Sequence, residues 1–373
     1  MITFKDLGIK NSYIKALKEL QFKTPTEIQE KTIPVLIDSN VDFVGLAQTG
    51  TGKTAAYGLP ALNEIDPQSA LVQTLILSPT RELVQQIKHQ LFKFTKYQKD
   101  KIFVEAVYGG EKIEKQIQRL QRPTHIVVAT PGRLIDLIEK GTLNLRSIKT
   151  VILDEADEML SMGFKKELDA ILNYTSSKRK TWLFSATMPE EIQNIISKYM
   201  DSKAVQISVN KESPVNKNIV HQFLITSIKA KLNVLIQLLD QFKEGRGIIF
   251  CRTKFGVQQL VKELKEESFS VDALEGDMQQ KDRDKVMRMF KKESLQYLVS
   301  TDVSARGIDV TNLAFVIHHQ LPEKPEYYTH RSGRTARAGK KGISLALILP
   351  SEIQRIQELQ KSLGINFKEQ ILS

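Results

Sequence analysis

The 373-residue sequence predicts an α/β protein of two mostly parallel sheets, each flanked by helices and joined by a short linker. Three observations predict it. Short apolar runs that end in polar residues recur at TLILSP (74–79), HIVVATP (125–131), TVILDEAD (150–157) and TWLFSATMP (181–189), and such runs read as buried parallel strands. Segments of helical spacing lie between them, among them Glu82 to Lys96 and Lys112 to Leu120, which is the alternation of a doubly wound sheet. The pattern then restarts with GIIFCRT (247–253), YLVSTD (297–302), FVIHH (315–319) and ISLALILP (343–350).

The length itself suits two domains, since single cores mostly serve roughly 100 to 200 residues. We expect domains at 1–208 and 218–373, with the polar, Pro214-containing stretch 209–217 as the linker. Near the end, Ile353, Ile356, Leu359 and Leu363 recur at helical spacing and predict a packed stripe. A hydrophobic fraction of 41% and a charged fraction of 26% exclude a disordered or fibrous chain. Fifty-four Lys and Arg against 43 Asp and Glu give a net charge of +11, which favours polyanionic partners without naming one. Cys251 is the only cysteine, so no intrachain disulfide forms, and its apolar surroundings predict a packed thiol in a reducing, cytoplasmic compartment. The start MITFKDLGIK has no leader pattern, and no apolar run approaches a membrane span, so no membrane association is expected.

Two segments carry chemistry on residue type alone. In AQTGTGKT (47–54), Ala47, Gln48, Thr49, Gly50, Thr51 and Gly52 offer a glycine-containing loop whose N–H groups can surround phosphate oxygens at a helix start. Lys53 reaches the outer phosphates there, and the Thr54 hydroxyl suits Mg²⁺. The bland reading is a glycine turn. In DEAD (154–157), Asp154 at a strand end can hold Mg²⁺ directly or through water, and Glu155 can orient and deprotonate an attacking water. Its bland reading is an acidic helix start. Together the two segments outweigh their separate alternatives.

With these motifs in order, the whole chain resembles the two-domain core of the DEAD-box RNA helicases. The resemblance implies two RecA-like domains that close on ATP and single-stranded RNA, hydrolyse the ATP and locally unwind RNA duplexes. FKTPTEIQ (22–29) resembles the adenine-recognition motif, within residues 2–30: Gln29 would pair with adenine, with the aromatic rings of Phe4 and Phe22 in the same site. PTREL (79–83), the Gly109–Gly110 pair and TPGR (130–133) resemble RNA-contact motifs, which implies RNA binding by Pro79, Thr80, Arg81, Gly110, Thr130, Gly132 and Arg133. SAT (185–187) resembles the coupling motif, so Ser185 and Thr187, with Asp157 and His330, would link hydrolysis to strand separation.

In the second half, FCRT (250–253), STDVSARGIDV (300–310) and HRSGRTARAG (330–339) resemble the remaining motifs. They imply RNA contacts at Arg252, Thr253 and Thr301, a ribose contact at Asp309, and phosphate contacts at Arg334 and Arg337 that join Lys53 and Glu155 in catalysis. ATP and Mg²⁺ are the implied cofactors, and the implied partner is RNA, held by backbone and 2′-hydroxyl groups with little sequence preference. A cytoplasmic monomer is expected. Ser304, Ser332 and Ala336 depart from the family forms TDVAARG and HRIGRTGRAG, and the last predicts a stiffer loop than glycine would give. Two rivals stand beside this reading: a DNA translocase on the same fold, and an ATP-gated RNA clamp whose turnover serves mainly release.

Overall fold

The computed structural model describes residues 2–38, 40–48, 50–209, 216–305, 310, 313–336 and 340–371. The chain separates into two compact units, Met1–Lys211 and Glu212–Ser373. Residues 210–215 of the expected linker lie outside the described residues.

The first unit holds seven strands: β1 (Phe43–Leu46), β2 (Thr74–Leu77), β3 (Val104–Val107), β4 (Ile126–Ala129), β5 (Thr150–Asp154), β6 (Lys180–Ser185) and β7 (Val205–Ser208). They pair in the order β3-β4-β2-β5-β6-β1-β7, every pair parallel. Both faces are covered, so successive side chains enter opposite cores. Ile76, Val128, Ile152, Trp182 and Phe184 point to one side, and Leu77, Val127, Val151, Leu153 and Leu183 to the other. Each such side chain contributes about 1.5–3 kcal/mol by leaving water. The covering helices are α1 (Asn11–Glu19), α2 (Glu27–Asp38), α3 (Lys53–Glu64), α4 (Arg81–Phe94), α5 (Ile113–Leu120), α6 (Pro131–Glu139), α7 (Ala156–Ser161), α8 (Lys165–Tyr174) and α9 (Glu190–Tyr199).

The second unit repeats the plan with β8 (Ile219–Ile225), β9 (Gly247–Phe250), β10 (Val271–Leu274), β11 (Tyr297–Ser300), β12 (Phe315–His318), β13 (Gly342–Ile348) and β14 (Phe367–Glu369). Their order is β10-β11-β9-β12-β13-β8-β14, again parallel throughout. Its helices are α10 (Lys231–Gln241), α11 (Lys254–Glu266), α12 (Gln280–Lys291), α13 (Asp302–Ala305), α14 (Pro325–Ser332) and α15 (Ile353–Leu363). The sequence runs had marked the central strands of both sheets; the short outer strands β3, β7, β10 and β14 carry too few consecutive apolar residues to stand out. The terminal stripe needs one correction: Ile356, Leu359 and Leu363 are buried, but Ile353 at the helix start is 37% exposed. Gly364, at φ +62°, caps α15 and turns the chain into β14. Among the described residues, no helix is long and apolar enough to cross a membrane.

Candidate nucleotide and nucleic-acid sites

Sheet order gathers the first unit's motifs into two groups along one edge. Strands β5, β6 and β1 are neighbours, with Asp154 opposite Phe184 and Leu46 opposite Ser185, so DEAD, SAT and the glycine loop leave the sheet side by side. Strands β2, β4 and β3 form the other group, with Leu77 opposite Ala129 and Ala129 opposite Val107. PTREL, TPGR and the Gly109–Gly110 turn leave there. Carboxyl ends of parallel strands are where such sheets bind ligands.

In the glycine loop Gly50 (φ +83°) and Gly52 (φ +94°) take left-handed backbone that side chains disfavour. Gly52 is also a close approach, since a Cβ there would lie 2.3 Å from Gln29 Nε2. Gln29 donates that amide to the Gly52 carbonyl at 3.0 Å and accepts from Thr26 N–H at 3.0 Å, so it braces the loop from α2. Thr26 adds a bond from its hydroxyl to the Thr51 carbonyl at 2.8 Å, and Thr51 in turn donates to the carbonyl of Gln48 at 2.8 Å. Helix α3 starts at Lys53 without a side-chain cap, leaving its first N–H groups for an anion. The Lys53 ammonium is buried and donates to the Ala47 carbonyl at 3.0 Å. Thr49 lies outside the described residues.

Asp154, buried at the end of β5, has one oxygen bonded to the Tyr57 hydroxyl at 2.9 Å, while its Oδ1 has no hydrogen-bond partner. Burial pushes its carboxyl upward, and the Lys53 charge and the Tyr57 hydrogen bond oppose that. Burial likewise drives the Tyr57 phenol well above its ordinary value, with the Asp154 charge acting in the same direction and a hydrogen bond with Thr54 against it. Glu155 is left-handed (φ +52°, ψ +52°), a conformation that costs a non-glycine residue roughly 1–2 kcal/mol and here turns the strand sharply into α7. Asp157 accepts from both the N–H (2.9 Å) and the hydroxyl (2.8 Å) of Thr187. Ser185 accepts the Ala47 N–H at its carbonyl, so SAT touches the glycine loop on one side and DEAD on the other.

The aromatic expectation needs correcting. Phe4 is 4% exposed within the first unit's core, and Phe22 packs edge-to-face on Phe94 at 6.0 Å. The buried Phe4 ring presents no open face for adenine to stack on, whereas Phe22 is only half-buried.

Along the other group, Pro79 is buried and Thr80 caps α4 by accepting from Leu83 N–H at 3.3 Å. Gly110 takes φ +87°, which the turn needs. Thr130 is the N-cap of α6, and Gly132 lies in its first turn. The arginines are committed inward. Arg81 lies over the Tyr108 ring at 5.4 Å, and Arg133 donates to the Glu111 carbonyl at 2.9 Å and pairs with Asp136 at 3.3 Å. Both side chains are 13% exposed, and Arg133 would have to leave the Glu111 carbonyl to contact a phosphate directly.

In the second unit, Thr253 caps α11 by accepting from Gly256 N–H at 3.0 Å, and Arg252 Nε donates to the Leu321 carbonyl at 2.8 Å. Thr301 is buried and donates to Ser304 at 3.1 Å, which explains the serine at that departure. Arg331 is wholly buried and forks onto the Asp302 carboxylate, with Nη2 to Oδ2 at 2.7 Å, welding α14 to α13. Ser332 joins a buried cluster in which Ser344 Oγ meets Ser332 Oγ at 2.8 Å, His318 Nε2 at 3.0 Å and Tyr328 OH at 3.2 Å, and Tyr328 reaches His221 at 2.7 Å. Burial, then the nearby Arg331 charge, holds His318 well below its ordinary value. Sequence spacing had shown none of these buried partners. Arg334 is 5% exposed just beyond α14, His330 is half-buried on α14, and Ala336 is left-handed at φ +56°. Asp309 and Arg337 lie outside the described residues. Cys251 is buried and its thiol is pushed up to about 12, as a packed, unreactive group.

A family model described as DEAD/DEAH box helicase matches residues 26–195, and one described as Helicase conserved C-terminal domain matches residues 230–339. The DEAD-box ATP-dependent RNA helicase CshA of Geobacillus kaustophilus is 40% identical over 362 residues, spanning 97% of this chain and 77% of that protein. ATP-dependent RNA helicase CshA of Limosilactobacillus reuteri is 41% identical over 361 residues, or 96% of this chain and 71% of that one. Among solved structures, S. cerevisiae Dbp5 bound to RNA and ADP BeF3 aligns with a TM-score of 0.91 at 28% identity, over 99% of this chain and 95% of that one. Identity of this extent, on a fold whose sheet edge gathers the same motifs, leaves one conclusion: the chain belongs to the DEAD-box ATP-dependent RNA helicase family.

Proposed function

We propose that the first unit binds ATP across the carboxyl ends of β1, β5 and β6, and that its hydrolysis drives local separation of RNA strands. The observation that carries this is the Asp154 carboxylate, whose unpartnered Oδ1 lies buried at the strand end beside the motif of Lys53. A buried acceptor without a donor suits a cation, so Asp154 and the neighbouring Thr54 hydroxyl would hold Mg²⁺. Bound there, the ion would neutralise charge on the phosphate oxygens. Lys53 would leave the Ala47 carbonyl for the outer phosphates, and Glu155 would take the proton of the attacking water. Asp157, Thr187 and Ser185 form a contiguous link from DEAD to the glycine loop, which supports their role in coupling.

Arg334 and Arg337 of the second unit are read as phosphate contacts through the family motif, and Gln29 as the adenine contact that also braces the loop. RNA would be held in each unit near the capped turns of Thr80 and Thr253, by backbone and hydroxyl groups that contact phosphates without reading bases. By the same resemblance, the units close together around ATP and RNA. The buried lone thiol supports a cytoplasmic setting.

Single-stranded RNA and single-stranded DNA of matched length, added separately to an ATPase assay, test the reading. RNA should accelerate turnover and DNA should not, because 2′-hydroxyl contacts are lost. Equal stimulation would remove the 2′-hydroxyl contacts from the reading, and stimulation by DNA alone would favour a DNA translocase.

A further inference from the structure

We propose that Tyr57 is a positioning residue for the metal site: its hydroxyl fixes one oxygen of Asp154 so that the other is presented to the ion accompanying the nucleotide. The inference rests on the assignment of Asp154 and Thr54 to that ion above. Tyr57 follows Lys53 by four residues and Thr54 by three on α3, so the three side chains share one face of the helix. Its ring is fully buried against Phe184 at 5.2 Å, which leaves the hydroxyl a single direction. Along that direction it donates to Asp154 Oδ2 at 2.9 Å. The aspartate χ2 torsion is broad, and an unrestrained carboxylate would swing. With Oδ2 tied, the carboxylate keeps one orientation, and its only unpartnered oxygen is Oδ1. A phenylalanine would fill the same space without this restraint, and a buried hydroxyl is costly unless bonded.

The test measures binding of a fluorescent ADP analogue (mant-ADP), with Mg²⁺ and with EDTA, to the full chain, Tyr57→Phe, Asp154→Asn and the double variant. Tyr57→Phe should lose about tenfold of the Mg²⁺-dependent gain in affinity, the scale of one hydrogen bond to a charged group, with affinity in EDTA kept within about twofold. In the Asp154→Asn background its loss should shrink to what the Tyr57 hydrogen bond with Thr54 contributes, because the Asp154 part is already gone. Equal losses with and without Mg²⁺ would make Tyr57 merely structural. A gain unchanged by Tyr57→Phe but reduced by Asp154→Asn would overturn the positioning role alone. No gain in the parent protein, or one undiminished by Asp154→Asn, would remove the metal assignment itself.

Discussion

The two units share one strand order, yet among the described residues only the first sets a glycine loop at the end of the corresponding strand. Ranked by position in the sheet, β1 corresponds to β8, β5 to β12 and β2 to β9. Beyond β1 lies the glycine loop; beyond β8 lies Thr226-Ser227-Ile228-Lys229, with no glycine to admit phosphate oxygens to the backbone. The last residue of β5 is Asp154, with an unpartnered oxygen, whereas the last residue of β12 is His318, neutral and tied into the Ser344 cluster. The other group behaves differently. Thr80 after β2 and Thr253 after β9 cap their helices in the same way, by accepting an N–H three residues on. The nucleotide edge is thus particular to one unit and the capped turns are common to both, which is what a nucleotide bound on one domain and a strand contacted by each would require. The fold supplies the edge, and the loops decide the chemistry.

The sharpest way to break this comparison is inside the nucleotide edge. Glu155→Gln retains size and hydrogen bonding but removes the base, so hydrolysis should fall by about 10²- to 10⁴-fold while ATP still binds. Lys53→Ala removes the charge for the outer phosphates, so ATP should bind poorly. With ATP and Mg²⁺, the glutamine variant should therefore release labelled single-stranded RNA more slowly than the parent, and the alanine variant no more slowly than without nucleotide. Matching release rates in the two variants would disconnect nucleotide binding from RNA retention.

A smaller effect separates the units by pH. His221 of the second unit is held at about 4, against 6.5 when free, because burial disfavours its charged form. His319 is held at about 4 by burial and the Lys231 charge. The unfolded chain then binds protons that the folded unit refuses, so stability is intact above about pH 6.5 and lost as the pH falls toward 4, by about 3 kcal/mol for His221 alone. The first unit contains the chain's one tryptophan, the buried Trp182. On acidification, far-ultraviolet circular dichroism should weaken before Trp182 fluorescence shifts. A fluorescence change that comes first would reverse the ranking of the units.

The smallest effect concerns backbone strain, which each unit places beside charged motif residues: Glu155 in the first and Ala336 in the second. Ala336→Gly should relieve the left-handed strain but give back part of it in chain entropy, for a net gain of at most about 1 kcal/mol. A rise of a few degrees at most in the melting midpoint is expected. A clear fall would mean that the buried Ala336 methyl contributes more by packing than its backbone costs.

Much of this was legible before any coordinates. Apolar runs of three to five residues with polar ends located the central strands, because a strand buried on both faces has no polar alternation to hide it. The glycine loop and DEAD were legible because phosphate and metal chemistry demand particular residue types at close spacing. Less legible were the outer strands, whose single packed faces leave sparse patterns, and the orientation of long side chains. Arg81 and Arg133 look alike in their motifs as phosphate ligands, but the structure lays one on the Tyr108 ring and bonds the other to the Glu111 carbonyl.

By itself the sequence determined the α/β class, the repeat of the pattern and the residues that bear chemistry, since these follow from local periodicity and side-chain type. Only the tertiary structure decided which of them meet. Strand order brought Lys53, Asp154 and Ser185 to one edge across more than a hundred residues of chain. Packing buried Phe4, paired Asp157 with Thr187, and laid the Tyr57 hydroxyl on Asp154. Those outcomes depend on contacts between distant segments, where a buried polar atom must find whichever partner the fold brings near, and no local pattern encodes that partner.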